Sequence, residues 1–147
     1  MYLLDVLSQT IRVDDAIRTF ILEQVDMRLL EKGAPVGLSH ALDRNIYFVE
    51  SGLLRSFYNE DGKDITLGFI KEAGFAASKE ALFLQKPSRS RIEALEPSVI
   101  NYMSFEKLQK FAETSISISR LMISVMGTLA INMEYRIYAL QYMSAKE

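Results

Sequence analysis

The sequence contains no cysteine and only one histidine. Without thiols the chain can form no disulfide, no cysteine-ligated zinc site and no iron–sulfur cluster, and it has no thiol nucleophile. His40 cannot supply a multi-histidine metal site by itself. The sequence also lacks the G-x-S-x-G, H-E-x-x-H and Walker motifs. We therefore predict no bound metal and no catalytic residues.

No charge of one sign dominates, since the net charge at pH 7 is −2. A chain with this balance has no global field that would attract nucleic acid or an anionic membrane. The N-terminal residues lack the pattern of a signal peptide, and no apolar run approaches membrane-spanning length. With 147 residues, of which 49% are apolar, residues 1–147 are expected to form a single cytoplasmic domain with no membrane partner.

The sequence predicts a helix near the N-terminus, over AIRTFILEQV. Asp14 or Asp15 can cap its first turn, because a carboxylate accepts hydrogen bonds from the unpaired amides there. One face of this helix collects the apolar side chains Val13, Ile17, Phe20, Ile21 and Val25.

The middle of the chain, residues 26–103, is predicted to be a roll of short antiparallel strands rather than a βαβ alternation. Asp61-Gly62 lies between two of the strand-like runs and predicts a tight hairpin, because that turn needs residues that tolerate positive φ. The run SKEALFL is expected to form one or two helical turns between later strands. Strand-like runs occur at 46–50, 53–58, 63–70, 91–95 and 98–103.

Residues 104–145 are predicted to form two helices, the first capped by Ser104 and the second very long. Apolar residues line the long helix on two faces, so it needs two partners, its own domain and a second helix. We predict a homodimer seam along the line Met122, Met126, Leu129, Met133, Ile137 and Leu140. The other apolar line is Leu121, Val125 and Tyr135.

The stretch FAASKEALFLQKPSRSRIEALE, residues 75–96, places two arginines beside a loop–helix junction. Backbone amides there could bind an anion together with Arg89 or Arg91. On residue types alone the favoured alternative is that both arginines are solvated or pair with Glu93 and Glu96.

The ordered combination of these elements resembles the effector domain of the Crp/Fnr family of bacterial transcription regulators, the cyclic nucleotide-binding β-roll. IYFVESGLLRSFYNEDGKDITLGFIKEAGF is similar to that family's Y-F-V-x-x-G-x-x-R phrase and hairpin, and residues 75–96 correspond to its phosphate-binding cassette. The resemblance covers roughly residues 10–145. It implies an α+β, mainly β fold, a jelly-roll double-stranded β-helix of eight strands, with flanking N-terminal helices and a long C-terminal dimerisation helix.

The cassette departs from the pattern of members that bind cyclic nucleotide. In those members a G-E pair begins the short helix, and an arginine ten residues after the glutamate pairs with the phosphate. The alignment places Ala77 and Ser78 at the pair and Ser88 at the arginine, so the strongest contacts are lost. We therefore do not expect ordinary cyclic AMP binding, and we predict no cofactor. The cassette-equivalent ligand residues, with a helix residue as base contact, are Phe75, Ala77, Ser78, Ser88, Arg89, Ser90 and Thr128.

Three hypotheses follow. The leading one is a sensor and dimerisation domain with an unidentified effector; DNA binding would belong to a C-terminal helix-turn-helix, since this sequence ends at Ala145-Lys146-Glu147. The second is a functional cyclic nucleotide-binding module that uses Arg89 and the backbone amides of residues 76–80. The third is an enzyme on a cupin-type barrel, which a single histidine disfavours.

Overall fold

The computed structural model describes residues 2–37 and 42–146, so His40 lies outside the described residues. A π-helical turn spans Glu80–Leu84. The helices are α1 (Tyr2–Leu7), α2 (Asp15–Gln24), α3 (Phe105–Ala112) and α4 (Ile116–Lys146), and the strands are β1 (Asp26–Leu30), β2 (Asn45–Ser51), β3 (Leu53–Glu60), β4 (Lys63–Lys71), β5 (Phe75–Ala76), β6 (Arg91–Ala94) and β7 (Ser98–Ser104).

Two antiparallel sheets form the β-roll, with strand orders β1-β7-β2-β5 and β4-β3-β6. The roll with flanking helices that the resemblance implied is confirmed, but the described residues contain seven strands instead of eight. Beside β6 lies an isolated bridge between Pro35 and Glu93. Backbone hydrogen bonds flank it, from the Val36 amide to the Ile92 carbonyl and from the Ala94 amide to the Ala34 carbonyl, but Pro35 itself has no amide to donate.

Strand β2 is buried on both faces and separates two cores. Ile46 and Phe48 pack toward the helices, whereas Tyr47 and Val49 point into the roll. Successive side chains of a strand point to opposite faces, so an unbroken apolar run is what a strand between two cores requires. Strand β2 therefore contributes side chains to both cores.

The Asp61-Gly62 hairpin between β3 and β4 is confirmed, with φ of 52° and 78° at the two turn residues. Further along the pair, Ser56 is opposite Gly68 and Phe57 is opposite Thr66. Leu67 is therefore an extra residue in β4, a bulge that locally redirects the strand.

Capping at α2 follows the sequence prediction. The Asp14 carboxylate accepts a 3.0 Å hydrogen bond from the Ile17 amide, and it also accepts one from the hydroxyl of Ser117 at the start of α4. The predicted cap of α3 is confirmed as well, since Ser104 accepts from the Lys107 amide at 3.2 Å. The resemblance implied N-terminal helices but gave no bounds for α1, whose six residues carry no capping signal and bury Leu3, Leu4 and Leu7.

Helix α4 packs on the domain through Ile118, Leu121, Val125 and Leu129, all of which are buried. This corrects the predicted lines. Leu129 is only 5% exposed, so it belongs to the domain's own core rather than to a seam, whereas Tyr135 is 65% exposed and does not share the inner face. Met122 is half-buried against the same core.

The expectation that no apolar run reaches membrane-spanning length is wrong for α4. Its segment Ile116–Tyr142 spans 27 residues with a mean hydropathy of 1.4, which is long and apolar enough to cross a membrane by length and composition. Core helices of soluble proteins also meet this criterion. The sequence reading missed it because polar residues interrupt the run.

Candidate ligand cavity

A hollow of about 280 Å³ lies between the β-roll and α4. Its apolar part includes Ile70, Phe75 and Leu129, which come from β4, β5 and α4. A second hollow of about 180 Å³ adjoins it. Ser78, Ser88, Ser90 and Ile92 line both hollows, so the two form adjoining parts of one site.

Ser78, which the alignment places at the family glutamate, lies two residues before the π-helical turn Glu80–Leu84. Ser78 Oγ accepts a 3.1 Å hydrogen bond from the Ala81 amide. Gln85, with φ of 52°, ends the turn in the left-handed conformation, and Pro87 then directs the chain away from the helix. The predicted helical turn in SKEALFL is confirmed, in π-helical form. The hydroxyl of Ser78 thus closes the turn, and its contact with a ligand stays a prediction.

Ser88 and Ser90 form a compact polar corner of the cavity. Their hydroxyl oxygens are 3.0 Å apart, and Ser88 Oγ also accepts a 3.1 Å hydrogen bond from the Ser90 amide. Neutral hydroxyls can donate to or accept from a ligand, but they supply no charge for a phosphate. Phe75 and Ala77 are buried and line the larger hollow beside this corner.

Arg89 and Arg91 are exposed, and both line only the smaller hollow. The favoured alternative was that both arginines are solvated or pair with Glu93 and Glu96; their exposure fits the solvated form rather than the pairing with Glu93. Glu93 accepts a 2.6 Å hydrogen bond from Nε of Arg55, on the neighbouring strand. In the described part of the chain, neither Arg89 nor Arg91 has a carboxylate within the 4.0 Å ion-pair distance.

Thr128 is not placed at the cavity. Its hydroxyl donates a 3.0 Å hydrogen bond to the Ser124 carbonyl within α4. The helix faces the larger hollow instead through Leu129, Asn132, Met133 and Arg136. The predicted base contact at Thr128 is therefore not supported, since the helix presents a different set of side chains.

Two cations of the larger hollow were missed in the sequence. Lys79 precedes the π-helical turn, and Arg136 lies one turn beyond Asn132 on α4. Burial lowers the pKa of the Lys79 ammonium, and the positive charge of Arg136 lowers this pKa further. The only available signal was a helical period of three to four residues through Leu129, Asn132, Met133 and Arg136.

Asp43 and Tyr47 form the far wall of the smaller hollow. The Tyr47 hydroxyl donates a 2.5 Å hydrogen bond to Asp43 Oδ2. Burial and this carboxylate raise the pKa of Tyr47, so the phenol stays protonated. Among the described residues no cluster of histidine, aspartate and glutamate could hold a metal ion.

The chain is a β-roll with a hollow between its short helix and its long helix. This arrangement is the one found in β-roll effector domains. A family model described as the cyclic nucleotide-binding domain matches residues 27–115. This match covers more than half of the sequence, and the chain therefore belongs to the cyclic nucleotide-binding domain family. No curated protein matches the chain.

Several solved structures share this fold. A CooA variant from Carboxydothermus hydrogenoformans is 22% identical with a TM-score of 0.64, over 94% of this chain and 84% of that one. The c-di-GMP-responsive global regulator CLP from Xanthomonas campestris is 16% identical with a TM-score of 0.72, over 90% and 64%. A cyclic nucleotide-binding domain from Methylobacillus flagellatus is 8% identical with a TM-score of 0.79, over 96% and 82%.

These relatives confirm the resemblance to Crp/Fnr effector domains at the level of the fold. They are transcription regulators and a nucleotide-binding domain, not enzymes. The chain spans 64% of the length of CLP.

Proposed function

We propose that this chain is the sensor and dimerisation domain of a cytoplasmic transcription regulator of the Crp/Fnr type. The observation that carries the proposal is the combination of a ligand-sized hollow beneath α4 with an exposed apolar face on the same helix. A ligand in the hollow contacts the helix that joins two subunits, so binding can change the geometry of a dimer. DNA binding would belong to a helix-turn-helix outside this sequence.

The dimer seam is best supported along a heptad line on α4 that is exposed at Ile123 and Ile137, although Met126 and Met133 on this line also contact the domain's own surface. Residues Ile123, Ala130 and Ile137 recur every seven positions, and so do Met126, Met133 and Leu140 three positions later. This is the a/d spacing of a coiled coil. Ile123 is 68% exposed and Ile137 is 51% exposed, so a second helix has apolar surface to cover. Ile123 and Ala130 take the places first predicted for Met122 and Leu129.

A membrane is a poorer occupant of this face than a second subunit. The first half of α4 buries one side against the domain's own core through Leu121, Val125 and Leu129. The second half carries Glu134 and Arg136, whose charges would be costly in a bilayer. Both features fit a helix shared between a domain and a partner helix.

The association state tests the dimer proposal. Sedimentation should give a dimer at micromolar concentration, and Ile137→Glu should convert it to a folded monomer, because a carboxylate in an apolar seam is unpaired. Leu22→Glu is the matched control, since Leu22 on α2 is 61% exposed and lies off α4. A monomeric wild type, or a dimer unaffected by Ile137→Glu, contradicts the proposal.

Ordinary cyclic AMP is not the proposed effector. Ser78 and Ser88 give the cavity hydroxyls in place of the glutamate and arginine that would hold a ribose and a cyclic phosphate. A ligand at a hundred times its dissociation constant stabilises a protein by about 2.7 kcal/mol. Thermal unfolding with excess cyclic AMP or cyclic GMP should therefore show no saturable shift, and a saturable shift would reject this part.

The second candidate is a cyclic nucleotide module that uses Arg89. Its support is that Arg89 lines the smaller hollow together with Ser88 and Ser90. In that case cyclic nucleotide should stabilise the wild type, and Arg89→Ala should abolish the effect while Arg91→Ala has less effect. The same thermal titration therefore decides between the two candidates.

A further inference from the structure

We propose that the larger hollow binds a small organic anion, whose acidic group lies between the Lys79 ammonium and the Arg136 guanidinium. This inference rests on the proposed sensor function and specifies the class of effector. It assigns the negative group to residues outside the cassette positions 78 and 88.

The first support is that two like charges line one hollow. Lys79 comes from the start of the π-helical turn and Arg136 from α4, and both face the cavity. Among the described residues neither has a carboxylate within 4.0 Å, although Glu80 also lines the hollow. Partial burial of two cations is unfavourable unless an anion compensates them. The depressed pKa of Lys79, caused by burial and then by Arg136, reflects this unfavourable pairing.

The second support is that β4 makes room for Arg136. A Cβ placed on Gly68 would lie 2.5 Å from Cδ and 2.7 Å from Nε of Arg136. The arginine side chain therefore passes directly over the backbone of Gly68, where any other residue would push it aside. Gly68 adjoins the Leu67 bulge of β4.

The rest of the lining defines the ligand's other features. Ser88, Ser90 and Asn132 supply neutral hydrogen-bonding groups, and Phe75, Leu129 and Met133 supply apolar surface. A volume of about 280 Å³ is at the small end for ligand pockets. These properties suit a small carboxylic or phosphoric acid with an apolar body.

An anion in this position would join two elements of the domain. Lys79 belongs to the β-roll and Arg136 to α4, so a ligand that contacts both would hold the helix against the roll. Binding in the hollow would then change the position of the dimer seam, because Met133 and Ile137 flank Arg136 on the same helix.

The test uses benzoate and phenyl phosphate as probes, with the whole chain at constant ionic strength. At least one probe should raise the unfolding temperature saturably, and the one that does so identifies a carboxylate or a phosphate ligand. Lys79→Gln and Arg136→Gln should each weaken that probe's binding by about tenfold or more. Lys86→Gln, which removes an exposed lysine that lines neither hollow, should retain binding.

Two further measurements keep the test independent of charge removal and of the choice of probe. Gly68→Ala should weaken binding without altering any charge, because it displaces Arg136. In a double-mutant cycle without ligand, Lys79 and Arg136 should show unfavourable coupling that weakens with salt. Absence of saturable stabilisation by both probes, or a favourable coupling, would overturn the inference. The dimer measured by sedimentation would survive that outcome, so failure of this inference is distinguishable from failure of the proposed function.

Discussion

Arg55 and Glu93 are direct cross-strand partners on β3 and β6, and the arginine Nε donates a 2.6 Å hydrogen bond to the carboxylate. The same guanidinium contacts both carboxylate oxygens of Asp64 on β4, at 2.8 and 2.7 Å. One side chain thus ties the three strands of the second sheet together. Because Arg55 already pairs with Glu93, this carboxylate does not pair with Arg89 or Arg91, which line the smaller hollow.

Replacing Arg55 with methionine should lower the unfolding temperature clearly, because Glu93 and Asp64 would lose a shared cation while facing each other across β3. Bidentate pairs with low exposure of the arginine are among the stronger surface interactions. Thermal unfolding by circular dichroism measures the effect. Arg91→Met, which removes an exposed arginine from β6, should change the unfolding temperature little; equal losses from both variants would contradict the assigned role of Arg55.

The stability of the domain should fall at acid pH. The hydrogen bonds from Arg55 lower the pKa of Asp64 below its ordinary 3.8, and the hydroxyl of Ser117 and then the Ile17 amide lower the pKa of Asp14. A carboxyl with a depressed folded-state pKa stabilises the fold above its unfolded pKa and loses that contribution as the pH falls through the folded value. Urea midpoints should therefore decline below about pH 4. Asp64→Asn should be less stable at neutral pH and should show a shallower decline; an unchanged slope would exclude Asp64 as a contributor.

Gly52→Ala should destabilise the domain by about 1–3 kcal/mol, in the range for forced backbone strain. Gly52 has φ of +102°, and an added Cβ would lie 2.7 Å from the Cα of Ser98. The neighbour is backbone, so it cannot move aside. Gly127→Ala is the comparison, since that site on α4 has open space around it, and the change should stabilise by about 0.4–1 kcal/mol. Denaturant unfolding of both variants checks the prediction, and a neutral Gly52→Ala would contradict it.

Leu129→Ala should lower the free energy of unfolding by about 2–5 kcal/mol, the cost of a cavity in a core. Leu129 is nearly fully buried against the domain, so its loss should leave subunit association unchanged. Unfolding experiments on the dissociated monomer, together with sedimentation of the variant at native conditions, separate the two effects. A weaker dimer with normal monomer stability would show that Leu129 belongs to the dimer seam and not to the domain core.

Much of the fold was predictable because its signals are local. The Asp61-Gly62 turn, the cap by Asp14 and the cap by Ser104 each depend on a few adjacent residues, and all three are confirmed. Helix α1 and strand β1 were missed as separate elements. Helix α1 carries no capping signal, and β1 has a turn signal only at its end, where Gly33 takes φ of 86°.

The site was predicted less completely. The cassette residues Ser78, Ser88 and Ser90 could be located because their spacing follows the family phrase, and they do line one cavity. Lys79 and Arg136 could not be paired from the sequence, since 57 positions separate them and no local sequence signal indicates that the two segments pack together. Thr128 was misplaced because an error of one position on a helix rotates a side chain by about 100°.

Local patterns in the sequence were enough to predict the β-roll and the long apolar helix, and alignment with the family phrase predicts serines at its two charged cassette positions. These features depend on the alternation of apolar residues, on turn residues and on residue identity, all of which are local properties of the sequence. Tertiary packing sets which face of α4 meets the domain, which carboxylates bind Arg55, and that Arg136 crosses Gly68 at the hollow that Lys79 also lines. These relationships depend on the rotation of α4 about its axis and on the bulge in β4, and both are set by packing between segments that are distant in sequence.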